Sequence, residues 1–156
     1  FLKNSGDGRV VNCSSVLGFA ALPYRGAYNA TKFAIEAITD TIRREETGKK
    51  VTFILIEPGP IRTKIRENSI FYFEKWIDWK TSDLSEYYEK HLFKKLYQPK
   101  TMLERFEQEP RHVTKKLLVA LTTRRPKKRY YVTYPTYLAN IITRLLPTGL
   151  QDHFFK

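Results

Sequence analysis

Two short, nearly continuous apolar runs bracket a long periodic one. Arg9–Cys13 reads R-V-V-N-C between Gly8 and the Ser14-Ser15 pair, and Val51–Ile56 reads V-T-F-I-L-I ahead of Pro58-Gly59-Pro60. Runs of this length, rich in β-branched residues and closed by turn residues, predict buried strands. A run apolar on both faces predicts a sheet covered on both sides. Between the two runs, Ala30, Phe33, Ala34, Ala37, Ile38, Thr41 and Ile42 recur at three- and four-residue spacing. That spacing predicts a helix over 27–46, with Gly48 as its C-cap. Strand, helix and strand make one βαβ crossover, so the strands are expected to be parallel neighbours or near neighbours.

A second crossover follows. Val113–Thr122 predicts a helix with Val113, Leu117, Leu118 and Leu121 on one side, and Arg129–Thr133 predicts a third strand. Tyr137–Leu146 predicts a last short helix with Leu138, Ile141, Ile142 and Leu145 on one face. Residues 64–109 belong to neither crossover. They hold both tryptophans, Trp76 and Trp79, and many other aromatics among charged residues, and they predict an insert of two or three irregular helices. The fold class is therefore α/β, with about three parallel strands and crossover helices.

Composition narrows this picture. With 156 residues, 42% of them hydrophobic and 28% charged, the chain is globular in character and is expected to form a single domain. One cysteine, Cys13, excludes an internal disulfide, and it is expected to be a small buried strand residue. The net charge of +12 lies mostly beyond residue 63. Such an excess could meet nucleic acid, anionic lipid or an anionic cofactor. The basic run Arg124-Arg125-Pro126-Lys127-Lys128-Arg129 carries no interleaved aromatics, so it is read as a solvated connection into the third strand, and no nucleic-acid partner is expected. His91, His112 and His153 lack metal-ligand spacing, and no metal is expected. The chain opens on Phe1 and its one methionine is Met102, which predicts a fragment lacking its N-terminal part.

Three features sit where the predicted strands end. Gly8-Arg9-Val10-Val11-Asn12-Cys13-Ser14-Ser15 closes the first strand, Tyr28-Asn29-Ala30-Thr31-Lys32 opens the long helix, and Pro58-Gly59-Pro60-Ile61-Arg62-Thr63 leaves the second strand. Each alone is ordinary in a chain this rich in tyrosine and lysine. Together they meet at the strand edge where open parallel sheets bind ligands. Tyr28 and Lys32, four apart, share one helical face. A tyrosine moves protons near neutrality when a fixed cation stands beside it, and a lysine one turn along can be that cation.

In combination these segments resemble the short-chain dehydrogenase/reductase family. The resemblance is strong over residues 8–63, fair over 110–133 through R-R-P-K-K-R-Y-Y-V-T, and weak between. It implies the C-terminal part of a Rossmann-like, doubly wound parallel sheet, with the insert at 64–109 serving as a substrate lid. It implies that Tyr28 is the general acid/base and that Lys32 supports it and holds the nicotinamide ribose. It further implies that Ser15, 13 positions before Tyr28, binds the substrate oxygen rather than Ser14. Pro58, Gly59, Ile61 and Thr63 match the segment lining the nicotinamide of NAD or NADP. The family's Gly-rich phosphate-binding turn is not found in this chain, because Gly6-Asp7-Gly8 precedes a strand, not a helix.

The expected function is an NAD(P)-dependent oxidoreductase that interconverts a carbonyl and a secondary alcohol in the complete protein, with these residues alone inactive. The insert's aromatics point to a bulky hydrophobic small-molecule substrate. The competing reading is a catalytically silent binding or scaffolding module. Apolar residues on more than one side of helix 27–46 predict a homo-oligomer, as the family resemblance also implies. A cytoplasmic location is expected. Attachment of the aromatic-basic insert to a membrane surface is the weaker alternative to its lining a pocket.

Overall fold

The computed structural model describes residues 1–46, 48, 50–97 and 106–155. Three parallel strands form its centre in the order β1 (Gly8–Cys13), β2 (Val51–Glu57), β3 (Arg129–Tyr131). Gly8 to Cys13 pair with Val51 to Ile56, and Leu55 to Glu57 pair with Arg129 to Tyr131. This register brings the C-terminal ends of all three strands to one edge. Helix α1 (Gly26–Glu45) makes the first crossover and spans about 30 Å. Helix α5 (Pro110–Thr122) leads into β3 as the second.

Alternation along β2 divides its side chains between the sheet's two faces. Ile54 and Ile56 join Ala120, Tyr130 and Val132 in the main core, where Val113 and Leu117 of α5 also pack. Leu55 and Glu57 point the other way and are as deeply buried, on the α1 side. Polar contacts tie the layers together. Asn12 Nδ2 donates to Thr39 Oγ1 of α1 at 2.8 Å, and Arg9 Nη1 donates to the Ala120 carbonyl at the end of α5 at 2.8 Å.

The α/β class, the parallel order and both crossovers agree with the sequence. Local differences have physical causes. α1 ends at Glu46 in a helical-side conformation, and Gly48, with φ of +81°, supplies the reversal beyond the cap. α5 begins three residues early because Pro110 fits the first helical turn, where no amide donor is needed. Its Leu118 and Leu121 are exposed and do not share the packed side of Val113 and Leu117. The third strand stops at Tyr131, since Thr133 caps α6 (Tyr134–Leu145). On α6, Ile142 is buried while Leu138, Ile141 and Leu145 face outward. A further helix, α7 (Thr148–Phe155), follows Pro147. Cys13, expected to be buried, is exposed at the end of β1.

The insert is helical where described: α2 (Ile65–Trp76), a 3-10 turn at Trp79–Thr81, α3 (Ser85–Tyr87), a π turn at Tyr88–Leu92 and α4 (Phe93–Tyr97). The stretch 98–105 of the expected insert lies outside the described residues. Phe93 is the hub: Trp79, Tyr97 and Phe73 meet it edge-on with centroids 4.6, 5.6 and 6.0 Å away. Among the described residues no helix is long and apolar enough to cross a membrane.

Candidate active site

The site is built where β1 and β2 end. After Cys13 the chain turns at once. Ser15 caps a 3-10 turn (Val16–Gly18), its Oγ accepting the Leu17 amide at 3.2 Å. The Ser15 hydroxyl proton is not used in that bond. Ser14 Oγ is buried with no partner among the described residues. Gly18 is forced by crowding, because a Cβ there would stand 2.6 Å from Ser14 Oγ and 2.8 Å from Glu36 Cγ.

Tyr28 lies in the first turn of α1, with 37% of its surface exposed. Lys32, one turn on, donates to the Cys13 carbonyl at 3.1 Å and stands 5.7 Å from the Tyr28 ring centroid. Lys32 thus bridges the end of β1 and the face of Tyr28, which fixes a cation beside the phenol. The entry to α1 carries local strain: Tyr24 has φ of +63°, unusual for a residue with a side chain. A hydrogen bond with Tyr87 of α3, reinforced by burial, pushes the Tyr24 hydroxyl up to about 12. The two rings lie 5.9 Å apart, which joins this entry loop to the insert.

The second strand's exit completes the edge. The Val16 amide donates to the Pro58 carbonyl at 2.8 Å, so the turn after Ser15 and the Pro58-Gly59-Pro60 turn are hydrogen-bonded. Gly59 packs so tightly on α6's start that a Cβ would meet Thr133 Oγ1 at 2.2 Å and Thr136 Oγ1 at 2.4 Å. Ile61 sits in an isolated parallel bridge opposite Gln108. That bridge uses the Pro60 carbonyl and the Arg62 amide, leaving Ile61's own amide and carbonyl out of it. Thr63 Oγ1 accepts the Ile65 amide at 3.3 Å at the head of α2 and is exposed.

Ser15, Tyr28, Lys32, Pro58, Gly59, Ile61 and Thr63 thus all lie on the loops and helix ends at one strand edge. A hollow of about 590 Å³ lies at the opposite edge, lined by Phe1, Leu2, Val10, Val51 and Phe53. The exposed donors Tyr28 and Lys32, with Thr63 and the unbridged Ile61 backbone, suit the polar ribose and amide of a nicotinamide cofactor. Among the described residues no group of His, Cys, Asp or Glu is arranged to hold a metal ion.

Arg129 was read in the sequence as the end of a solvated basic run, and the structure corrects this. Its guanidinium is ion-paired with Glu36 and Glu57 through Nη1 and with Asp40 through Nη2, the last at 2.7 Å. The overlooked signal was Glu57 itself: a carboxylate continuing an apolar strand must find a cation inside the protein.

Residues 1–70 match the model of the short chain dehydrogenase family. The chain is 35% identical over 151 residues to the uncharacterized oxidoreductase YbbO of Escherichia coli, covering 97% of this chain and 49% of that protein. It is 31% identical over 155 residues to 17-beta-hydroxysteroid dehydrogenase type 6 of Rattus norvegicus, again 97% and 49%. A short-chain dehydrogenase from Burkholderia cenocepacia solved with NADP shares the fold at a TM-score of 0.66 and 20% identity, over 99% of this chain and 51% of that one. The chain spans about half the length of the relatives it matches.

Proposed function

We propose that the complete protein is an NAD(P)-dependent oxidoreductase interconverting a carbonyl and a secondary alcohol, with Tyr28 as its proton donor and acceptor. The observation that carries this reading is Lys32, anchored on the Cys13 carbonyl beside the Tyr28 ring. In the reducing direction, the Tyr28 hydroxyl gives its proton to the substrate oxygen as charge develops there. The free Ser15 hydroxyl proton donates to the same oxygen and holds it in line. Lys32 stabilises the resulting phenolate and binds the cofactor's ribose. Pro58, Gly59, Ile61 and Thr63 line the nicotinamide, with Ile61's backbone meeting its amide. NAD or NADP, in its reduced form for this direction, would supply the hydride when bound.

Residues 1–156 act as one domain with 64–109 as its lid, and they carry no turnover without the phosphate-binding turn that this stretch lacks. The insert's aromatic surface favours a bulky hydrophobic substrate, in line with the steroid named for the rat relative. Exposed Phe33 and Ile38 on α1 favour self-association through that helix. The location is cytoplasmic. The test is turnover by the full-length protein with Tyr28→Phe, expected to fall by about a hundredfold or more. Retention of over a tenth of the wild-type rate defeats the role given to Tyr28.

A further inference from the structure

A group of charges lies one turn beyond Lys32, outside the machinery above. Glu57, the last residue of β2, is completely buried, and Glu36 of α1 is nearly so. Arg129 Nη1 from β3 donates to Glu36 Oε2 and to Glu57 Oε1. Its Nη2 donates to Asp40 Oδ2, while Asp40 Oδ1 takes Arg43 Nη2 at 3.0 Å. Three carboxylates thus share two guanidinium groups, an excess of one negative charge, with Glu36 and Glu57 shielded from water. Two buried oxygens, Glu36 Oε1 and Glu57 Oε2, have no donor among the described residues. Both glutamates are held on the same Arg129 nitrogen, Nη1. One proton held on this pair removes the excess charge and turns one acceptor-only oxygen into a donor.

The placement of this group matters. Tyr28, Lys32, Glu36 and Asp40 follow at four-residue steps along α1, and Glu57 adjoins Pro58. The Arg129 side chain therefore touches both the helix bearing Tyr28 and Lys32 and the strand that delivers the Pro58–Thr63 turn. We propose that Arg129, Glu36 and Glu57 form a proton-holding clamp that sets the Tyr28–Lys32 helix against that turn, making Arg129 a positioning residue. This part of its role rests on the function proposed above. Small misplacements of such groups cost rate steeply.

The groups facing the clamp are Arg129 and Tyr131 from β3, Asp40 with Arg43 from α1, and Arg144 of α6 near Tyr131. Burial, then the charge of Glu36, push the Glu57 carboxyl up to about 8 against the pull of Arg129. A group raised in the folded state stabilises it fully below its unfolded value and loses that contribution as pH climbs to the folded one. The clamp's contribution thus declines from the ordinary glutamate range up to about pH 8 and stays flat above.

The test uses the full-length protein with Glu57→Gln, Arg129→Met and Arg129→Lys. The wild-type Tm should fall across this window relative to that of Glu57→Gln, whose amide needs no shared proton. Parallel Tm–pH curves overturn the proton-holding clamp. In folded Arg129→Met, kcat should fall about tenfold or more and the NADPH Kd rise, with Arg129→Lys recovering part of both. Unchanged kcat and Kd in either folded Arg129 variant overturn the positioning role, and Arg129→Lys decides alone if Arg129→Met fails to fold. If the wild type turns over no carbonyl or alcohol, the functional reading fails while the Tm curves and NADPH titration still decide the clamp.

Discussion

The β1–α1–β2 crossover and the aromatic insert are held together in opposite ways. The crossover is fixed by contacts that join distant parts of the chain: Arg129 to Glu36, Arg9 to the Ala120 carbonyl, Asn12 to Thr39. At its centre Ile54 and Leu55 are sealed from solvent. The insert holds itself by rings meeting rings around Phe93, and Trp76 stays 69% exposed. Directional polar contacts permit one arrangement; edge-on ring contacts permit several of similar energy. The first suits groups that must stand at fixed distances from a reacting atom. The second suits a surface that meets apolar molecules of different shape.

Substitutions at the two centres should separate these regimes. Ile54→Ala should cost about 3 kcal/mol of global stability, read from denaturant midpoints, because the fully buried site leaves a cavity. Phe93→Ala should cost clearly less, and its effect should appear as faster amide exchange confined to residues 65–97. Equal losses would mean that the insert belongs to the main cooperative unit. A smaller change is expected from Asn12→Ala, about 1 kcal/mol, since the Thr39 hydroxyl keeps its second bond, to the Ile35 carbonyl.

The smallest effect sharpens the charge pattern under the crossover. Burial tends to raise the Asp40 carboxyl, but the hydrogen bonds and charges of Arg43 and Arg129 outweigh it and hold the group below its ordinary value. A depressed carboxylate stabilises the fold above its unfolded value and loses that contribution as pH falls through the folded one. Asp40→Asn should therefore lower Tm at pH 7 and converge on wild type in strong acid. Glu57 has the opposite sign, although both groups bind one guanidinium. A shared pH dependence would show that the cluster titrates as one uncharged unit.

The crossover was legible in the sequence because periodicity and turn residues coincide there. V-T-F-I-L-I followed by Pro-Gly-Pro leaves one reading, and the Tyr28–Lys32 spacing needs only a helix to place both on one face. The polar cluster around Arg129 was not legible in the same way. Arg129 follows four other basic residues, and its inward turn depends on the β2–β3 register, which sets it opposite Leu55. The exposure of Cys13 was not legible for a related reason: local apolarity carries no information on what packs over a strand end. The outward Leu118, Leu121, Leu138 and Ile141 show the same limit, since a helical stripe specifies a face but not its neighbour.

The Ile61–Gln108 bridge has a consequence for how this chain can change. The Arg62 amide meets the Gln108 carbonyl at 2.9 Å, and the Gln108 amide meets the Pro60 carbonyl at 3.1 Å. The polypeptide therefore leaves the sheet and returns to it at a single point, like a buttonhole stitch. Whatever is sewn between those two residues bears little on the strands beneath. Doubling the length of such an excursion costs only about 0.6 kcal/mol in closure entropy. The segment between them can be shortened or extended as a cassette so long as Tyr87, which meets Tyr24 at the entry to α1, is kept.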